Sequence, residues 1–417
     1  MDDIKLPKSY KQQPKVARTT KLDSILSEEQ VANFAPKPLS DTEIVDDLDE
    51  NLAASITTKA PDNSLSVKTK KSFFTKKKLI IALVLLAVII AGLAIYFIFF
   101  NNQKVIVENN QVTEVKKTEV KKEVVSPLTG KVLADESLAT RPVTGIMIEN
   151  SPEARPQSGL TEADMVYEAI AEGGITRFMA VYQESQPQYI GPVRSSRPYY
   201  LDFIMPLDGS YGHVGGSPEA LSDIKTYKIK DLDQFSNGNS YTRITERYAP
   251  HNVYTSFAKL DALNNAKGYT KSTFTPLLRK SDVPQTPTAN IIDFSISSAL
   301  YSPRFTYDPG SNKYLRSQAG SPHIDLKSNA QISPKVVVAL VMEKGYDPDG
   351  YHTDYKTTGS GKAYVFQDGI VSEATWTKKD RQSNLSLTDK NGLPLKLNTG
   401  QTWFSLVSSP SDVSYRP

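Results

Sequence analysis

The feature that most constrains this chain is the segment 79–100, LIIALVLLAVIIAGLAIYFIFF, which contains twenty-two residues and no charge. A helix that rises about 1.5 Å per residue over this length spans roughly the 30 Å hydrocarbon core of a bilayer. A buried helix of a soluble protein carries a polar stripe, whereas this segment has only the hydroxyl of Tyr96. It also lies too far along the chain for an ordinary cleaved signal peptide. We therefore expect a transmembrane helix at 79–100.

The lysines around this segment predict its orientation. Six lysines and no acidic residue lie between positions 68 and 78, whereas 101–111 contains only Lys104, with Glu108 nearby. Lys and Arg accumulate on the cytoplasmic side of membrane helices. The lysine run could also be a nucleic-acid patch, but beside a hydrophobic span the topological interpretation is favoured. We expect 1–78 to be a disordered cytoplasmic tail and the C-terminal part to be extracytoplasmic.

Composition excludes several classes of function. The formal net charge of +3 is nearly balanced and argues against a dedicated nucleic-acid binder, so no nucleic-acid partner is expected. The sequence has no cysteine, which excludes disulfides, thiolate metal sites, a cysteine nucleophile and attachment through a lipidated cysteine. Its four histidines show no metal-ligand spacing. We expect neither a metal nor a cofactor.

The rest of the chain divides into a stalk and two predicted modules. Residues 101–125 contain the repeat TEVKK twice and read as a spacer from the membrane. The segment 126–285 mixes strand and helix signals and predicts an α+β domain. The segment 290–417 carries mainly hairpin signals and predicts a mainly antiparallel β domain. The aperiodic stretch 277–290 between them is the expected boundary.

Apolar periodicity and turn residues predict the individual elements. Strands are expected at 143–148, 165–170, 176–182, 210–214, 335–342, 362–367, 374–378 and 402–407. Helices are expected at 198–203, 218–226 and 256–265, the second with Ser217 as its cap and Pro218 at its first position. Hairpin turns are expected at 308–311, at Asp368-Gly369 and at Asn391-Gly392.

Most of the polar residues that could carry chemistry lie between 149 and 197. Glu168 and Glu172 would share one face of a strand, where paired carboxylates could act on a glycosidic bond. They could equally form structural ion pairs with Arg177 or Arg194. A catalytic triad of Ser195 or Ser217 with His213 or His251 is less well supported, because no G-x-S-x-G motif is present. Catalytic residues are therefore not assigned.

The sharpest local motif is GPVRSSR at 191–197, which places two arginines and two serines before a predicted helix. Serine caps beside guanidinium groups suit a carboxylate or a phosphate, while the plainer interpretation is a capped helix with surface arginines. The ligand-binding candidates are Glu172, Arg177, Arg194, Ser195, Ser196, Arg197, His213, His251 and Asn252.

A family resemblance rests on several long motifs. These are PLTG at 127–130, ARPQSGLTEADMVYEAIAEGGITRFMAVYQ at 154–183, GPVRSSRPYYLD at 191–202, HVGGSPEAL at 213–221 and APHNVYTS at 249–256, with GSPHIDL, GKAYVFQDG and LNTGQTWFSLV downstream. Together they resemble the YerB-like lipoprotein family, whose members have two domains of unknown function. The resemblance implies a bacterial, surface-facing protein and implies no mechanism. The absent cysteine departs from the lipoprotein pattern.

Two functions from different classes follow as hypotheses. The first is a single-pass, membrane-anchored extracytoplasmic protein that binds or scaffolds at the cell envelope, with an anionic wall polymer or an envelope protein as partner. The missing catalytic motif and the arginine-serine cluster favour it. The alternative is an envelope hydrolase that acts on a cell-wall polymer through Glu and His residues of the first domain. Whether the protein is an enzyme stays open at this point.

The lysine distribution yields a topological prediction. Protease added to intact spheroplasts should degrade residues 126–417 and leave the tail 1–78, because only the C-terminal part is expected outside. Immunoblotting with antibodies against each part measures the outcome. Protection of the C-terminal part would show that the orientation is reversed.

Overall fold

The structure is a computed structural model, and it describes residues 87, 89–93, 96, 123–347 and 350–417. The predicted tail and most of the predicted span and stalk lie outside these residues. Within the described residues, no helix is both long and apolar enough to cross a membrane. The transmembrane helix at 79–100 therefore stays a prediction. The chain divides into two compact units, 1–113 and 114–417, and the architecture below is that of the second.

Helices are few and short in this unit. They are α1 (Glu136–Thr140), α2 (Pro198–Ile204), α3 (Pro218–Thr226) and α4 (Phe257–Ala266). The strands that precede residue 290 are β1 (Thr144–Glu149), β2 (Met165–Glu172), β3 (Ile175–Tyr182), β4 (Ser210–Gly212), β5 (Lys230–Asp231), β6 (Thr242–Arg243), β7 (Val253–Tyr254) and β8 (Arg279–Lys280).

Strands dominate the rest of the chain. They are β9 (Ile291–Phe294), β10 (Pro303–Asp308), β11 (Lys313–Gln318), β12 (Ser321–Pro322), β13 (Val336–Val341), β14 (Lys344–Tyr346), β15 (Thr353–Tyr355), β16 (Gly359–Gln367), β17 (Ile370–Lys378), β18 (Ser386–Thr388), β19 (Leu397–Asn398), β20 (Thr402–Val407) and β21 (Val413–Arg416). The α+β class is confirmed, and this half is mainly antiparallel β.

The predicted elements are present, with ends that differ by a few residues. The cap of α3 is as expected, because the Ser217 side chain accepts a hydrogen bond from the Ala220 backbone N–H and Pro218 opens the helix. Two of the predicted hairpins pair as expected, β10 with β11 and β16 with β17. The third has its turn, where the backbone N–H of Asp389 donates to the carbonyl of Leu393 and the Asp389 side chain accepts from the N–H of Leu393. Its second arm continues into β19, which pairs with β8.

The largest sheet has ten strands in the order β18-β17-β16-β13-β20-β2-β3-β1-β4-β5. Five of its strands, β1–β5, come from the first half of the unit, and the other five come from the second. The halves join at β20, which pairs in parallel with β2 on one side and with β13 on the other. The expectation that each half would form a separate module with its own sheet is therefore wrong.

The reason lies in the sequences of β13 (VVVALV) and β20 (TWFSLV), which are buried nearly throughout. Successive side chains point to opposite faces, so Val338 and Phe404 enter one core while Val337 and Trp403 enter the other. A strand buried on both faces also needs a neighbour on each edge, because its backbone N–H and C=O groups have no access to water. For β20, one of these neighbours is β2 of the first half.

Different elements cover the two faces of the large sheet. On one face α2 and α3 pack with residues such as Leu201 and Ile224. On the other face lie α4, through Phe257, and a five-stranded sheet in the order β12-β11-β10-β9-β21, through Phe294 and Phe305. Both halves of the unit therefore contribute to each core.

A buried ion pair joins the halves beneath the five-stranded sheet. Nη2 of Arg316 on β11 lies 2.8 Å from Oε1 of Glu168 on β2, and both side chains are fully buried. The second carboxylate oxygen accepts from the indole N–H of Trp403 at 2.9 Å. The guanidinium also lies 4.7 Å from the Trp403 ring centroid. Burial, with the positive charge of Arg316, lowers the pKa of His323 far below its usual value, so that ring is neutral beside Arg316.

Replacing Arg316 by Met should lower the free energy of unfolding by about 3–5 kcal/mol, because it leaves the Glu168 carboxylate buried without its partner. Arg304→Met is the matched control, since Arg304 pairs with Asp293 at the surface and its side chain is 52% exposed. That change should cost less than about 1 kcal/mol. Denaturant unfolding of the full chain in mild detergent measures both. Equal losses would contradict a special role for the buried pair.

Candidate functional site

The predicted site residues form two groups, and the first is buried. The carboxylate of Glu172 pairs with the guanidinium groups of both Arg177 and Arg197. Arg177 also donates to the carbonyl of Ser195 at 3.1 Å, and Arg197 donates to the carbonyl of Ser196 at 2.6 Å. All three charged side chains are nearly closed to solvent. Burial lowers the pKa of Arg177, and the positive charge of Arg197 adds to that effect, although a guanidinium still stays protonated.

A β-bulge places Glu172 in this group. The register between β2 and β3 shifts between Ile170 and Glu172. Arg177 is the cross-strand partner of Ala169, so it lies on the face opposite to Glu168. Glu172 reaches Arg177 on that opposite face because a bulge re-aims the side chains that follow it. The expectation that Glu168 and Glu172 share a face is therefore wrong.

The second group lies at the surface and is organised by Glu149 at the end of β1. Oε2 of Glu149 lies 3.0 Å from Nδ1 of His251, and Oε1 accepts from the hydroxyl of Ser151 at 3.1 Å. Nε of Arg194 lies 3.1 Å from Oε1, but its N–H is not aimed at that oxygen. The contact is therefore an ion pair rather than a hydrogen bond. The buried carboxylate thus holds an imidazole and a guanidinium side by side.

Arg194 and His251 turn their remaining polar atoms outward. Within the described part of the chain, neither Nη atom of Arg194 nor Nε2 of His251 makes a hydrogen bond, and none of these atoms is closed to solvent. The half-buried Ser195 lies next to Arg194. We call Arg194, Ser195 and His251 the Arg194 surface. It is the one place among the predicted candidates that offers accessible donors to a ligand.

His213 and Ser196, by contrast, lie inside the unit. Nδ1 of His213 lies 2.8 Å from the carbonyl of Gly215, and Nε2 lies 3.0 Å from Oδ1 of Asp231. Burial of Asp231 opposes its ionisation, but the hydrogen bond and charge of His213 outweigh that effect, and the pKa of Asp231 falls below its ordinary value. Ser196 accepts a hydrogen bond from the hydroxyl of Tyr211 at 3.0 Å. Neither His213 nor Ser196 is exposed to a ligand.

Asn252 extends the surface group toward a further arginine. Its side-chain oxygen accepts from Nη1 of Arg243 at 3.0 Å, and its amide donates to the carbonyl of Ile244 at 3.2 Å. Asn252 itself is nearly buried, whereas Arg243 is exposed. Asn252 therefore holds the loop that carries Arg243 next to His251.

The predicted helix start at GPVRSSR has a different structure. Helix α2 begins at Pro198, and its cap position is Arg197, which makes no side-chain capping bond. Instead the backbone of Arg194 and Ser196 pairs with the segment 214–217. Glycine at 216 permits this approach, because a Cβ there would lie 3.1 Å from the Cβ of Ser196. The prediction of serine caps is therefore wrong, because the cap position is Arg197.

The geometry does not assemble a catalytic triad. Ser151 and Glu149 lie 3.4 Å and 3.0 Å from the same nitrogen of His251, Nδ1. A triad needs the nucleophile and the carboxylate on opposite nitrogens of the ring, so that a proton can pass between them. Glu168 and Glu172 are both paired with buried arginines. Within the described residues, no three metal-ligating side chains are close enough to share an ion.

Sequence analysis missed Glu149 and Ser151 as members of the site. Glu149 appeared only as the edge of the polar region. One signal could have found it. Glu149 is the first charged residue after the apolar segment TGIMI, and functional side chains are often placed where a strand ends and a loop begins. No sequence pattern links Glu149 to His251, which is about one hundred residues away.

Comparison with known proteins places this unit in a family. Residues 128–270 match the family model described as the N-terminal domain of a protein of unknown function (DUF3048), and residues 292–404 match its C-terminal domain. The protein named "Putative lipoprotein YerB" of Bacillus subtilis strain 168 is 32% identical over 295 residues, which cover 69% of this chain and 87% of that protein. The chain belongs to the YerB-like family.

A solved structure supports the same relationship. The crystal structure of the YerB protein from Bacillus subtilis matches with a TM-score of 0.64 and 29% identity. The match covers 71% of this chain and all of that one. The two proteins therefore share this fold, and the family descriptions assign no activity to either domain.

The burial of the two groups predicts that two arginine substitutions destabilise the unit to different extents. Arg197→Gln should destabilise the unit by about 3–5 kcal/mol, because it removes a partner from the buried Glu172 carboxylate. Arg194→Gln should cost less than about 1 kcal/mol, because the buried Glu149 carboxylate keeps its contacts with Ser151 and His251 and Arg194 is partly exposed. Thermal unfolding of the full-length variants measures the difference. A strongly destabilised Arg194→Gln variant would mean that Arg194 is chiefly a structural residue.

Proposed function

We propose that this protein is a membrane-anchored extracytoplasmic binding protein of the bacterial envelope and that its Arg194 surface recognises an anionic wall polymer. The predicted span at 79–100 serves as the anchor, with the tail inside and the 126–417 part outside. The name of the B. subtilis relative, a lipoprotein, supports an envelope location. A transmembrane helix here would take the place of a lipid anchor.

The observation that carries the proposal is the outward guanidinium of Arg194. Its Nη atoms are available, while its Nε is held by Glu149. A guanidinium held on one side presents its two outer N–H groups in a fixed fork, which matches the two oxygens of a carboxylate or phosphate. His251 contacts the other oxygen of Glu149 through Nδ1, which leaves Nε2 to offer a further polar contact.

Charge in the surrounding group also favours an anion. Arg194 and Arg243 both reach solvent, whereas the Glu149 carboxylate is buried. Exposed positive charge attracts anions before they make contact. Hydrolysis is not proposed, because no accessible carboxylate, hydroxyl and imidazole are arranged for it in the described residues.

The test is retention of the full chain, in mild detergent, on insoluble wall fragments that keep their anionic polymers. Arg194→Gln should weaken retention roughly ten- to one-hundredfold, since a hydrogen bond to a charged group contributes about 1.5–3 kcal/mol. Arg304→Gln, an exposed arginine of the five-stranded sheet, is the control and should bind normally. Retention of the wild-type protein should fall as salt is added.

Three outcomes would contradict the proposal. One is unchanged binding by Arg194→Gln. Another is binding that persists after the anionic polymers are removed from the fragments. The third is binding that disappears when the fragments are treated with protease, which would identify an envelope protein as the partner.

A further inference from the structure

We propose that the ligand of the Arg194 surface is a glycan chain that carries carboxylate or phosphate groups and that Phe235 and Tyr248 contact its sugar rings. This inference rests on the proposed function and specifies its ligand class. Two aromatic rings beside the polar atoms of the Arg194 surface support it.

Tyr248 lies beside His251. Their ring centroids are 5.8 Å apart and their planes are nearly perpendicular, at 82°. Tyr248 is nevertheless 73% exposed, which is high for a residue type of intermediate burial. The ring therefore stays largely open to solvent next to the imidazole that Glu149 orients.

Phe235 lies against the segment whose backbone pairs with Arg194 and Ser196. It is 71% exposed, and its ring covers Gly215, where a Cβ would approach Cε2 of the ring to 3.0 Å. The carbonyl of Gly215 accepts from the N–H of Ser196 at 2.9 Å, and the N–H of Val214 donates to the carbonyl of Arg194 at 3.0 Å. The ring is thus attached to the strand-like segment that carries Arg194 and Ser195.

A sugar ring fits this combination because it has two kinds of surface. Its C–H faces are apolar and pack on aromatic rings, while its edges carry hydroxyl groups and any acidic substituents. Phe235 and Tyr248 offer the aromatic contacts, and Arg194 and His251 offer the polar ones. A protein partner would be expected to meet a continuous apolar patch with few charges at its centre. Here the two exposed rings accompany charged and polar side chains instead.

The experiment compares three variants of the full chain on two supports. The supports are protease-treated wall fragments, which contain glycan and acidic groups, and immobilised polyphosphate, which is a polyanion without sugars. The variants are Phe235→Ala, Tyr248→Ala and Arg194→Gln. Leu393→Ala is the control, because Leu393 is 62% exposed and lies beside β18, at the opposite edge of the large sheet from β5.

If the inference is right, each aromatic variant binds wall fragments roughly tenfold more weakly, the effect expected of an aromatic contact residue. Each should bind polyphosphate as the wild type does, with an unchanged melting temperature. Arg194→Gln should bind both supports more weakly than the wild type, and Leu393→Ala should bind both as the wild type does. This pattern separates the sugar contact from the charge contact.

The remaining outcomes distinguish failure of this inference from failure of the proposed function. Aromatic variants that bind wall fragments normally, while Arg194→Gln does not, overturn the glycan assignment and leave anion recognition standing. Aromatic variants that bind both supports equally weakly also overturn it. In that case the rings would affect binding only by positioning the charged residues, without contacting a sugar. Normal wall binding by Arg194→Gln overturns the proposed function and this inference together.

Discussion

The fold depends on the ion pair between Glu168 and Arg316. Each side chain is fully buried, and each comes from a different half of the unit. An isolated charge in such a place is very unfavourable, so neither half can bury its charged residue without the other. Trp403 completes the arrangement, because its indole N–H satisfies the second oxygen of Glu168 and its ring lies against the guanidinium. The same contact brings β20, which carries Trp403, against β2, and so fixes the point where the two halves share a sheet.

A second carboxylate on β2 supports the candidate site. Past the bulge, Glu172 faces the other side of the sheet and holds Arg177 and Arg197. Those arginines donate hydrogen bonds to the carbonyls of Ser195 and Ser196, which fixes the backbone next to Arg194. Arg177 and Arg197 are therefore positioning residues. They cannot reach a ligand themselves, but they fix the segment that presents Arg194.

Local structure could be predicted from the sequence, and long-range pairing could not. The hairpin turn at Asp368-Gly369 and the cap at Ser217 depend on neighbouring residues, so their signals are contained in short segments. The parallel pairing of Met165 with Thr402 leaves no such local signal, because parallel strands are joined by long connections. The uninterrupted apolar runs of β13 and β20 did indicate interior strands, but they did not identify which strands would flank them.

The same distinction applies to the site. Arginine and serine in GPVRSSR indicated an anion-binding segment, yet composition could not separate Arg194, which faces water, from Arg197, which is buried. Burial depends on the partner, and the partner of Arg197 is a glutamate whose direction is set by a bulge. Arg316 shows the same difficulty in KYLRSQ, where the inward positions hold Tyr314, Arg316 and Gln318. A hydrophobicity pattern would not predict an arginine at an inward position.

Strand β2 therefore connects stability to recognition. On one face it carries Glu168, which requires the second half of the unit, and on the other it carries Glu172, which positions the Arg194 segment. The bulge between these residues lets one strand serve both faces. A change that loosens the second half would disturb β2 and reach the Arg194 surface through Glu172 and the two arginines, without touching any ligand-facing atom. The outer atoms of Arg194 and the rings of Phe235 and Tyr248 face solvent, so the chemistry of this surface can vary while the framework beneath it stays the same.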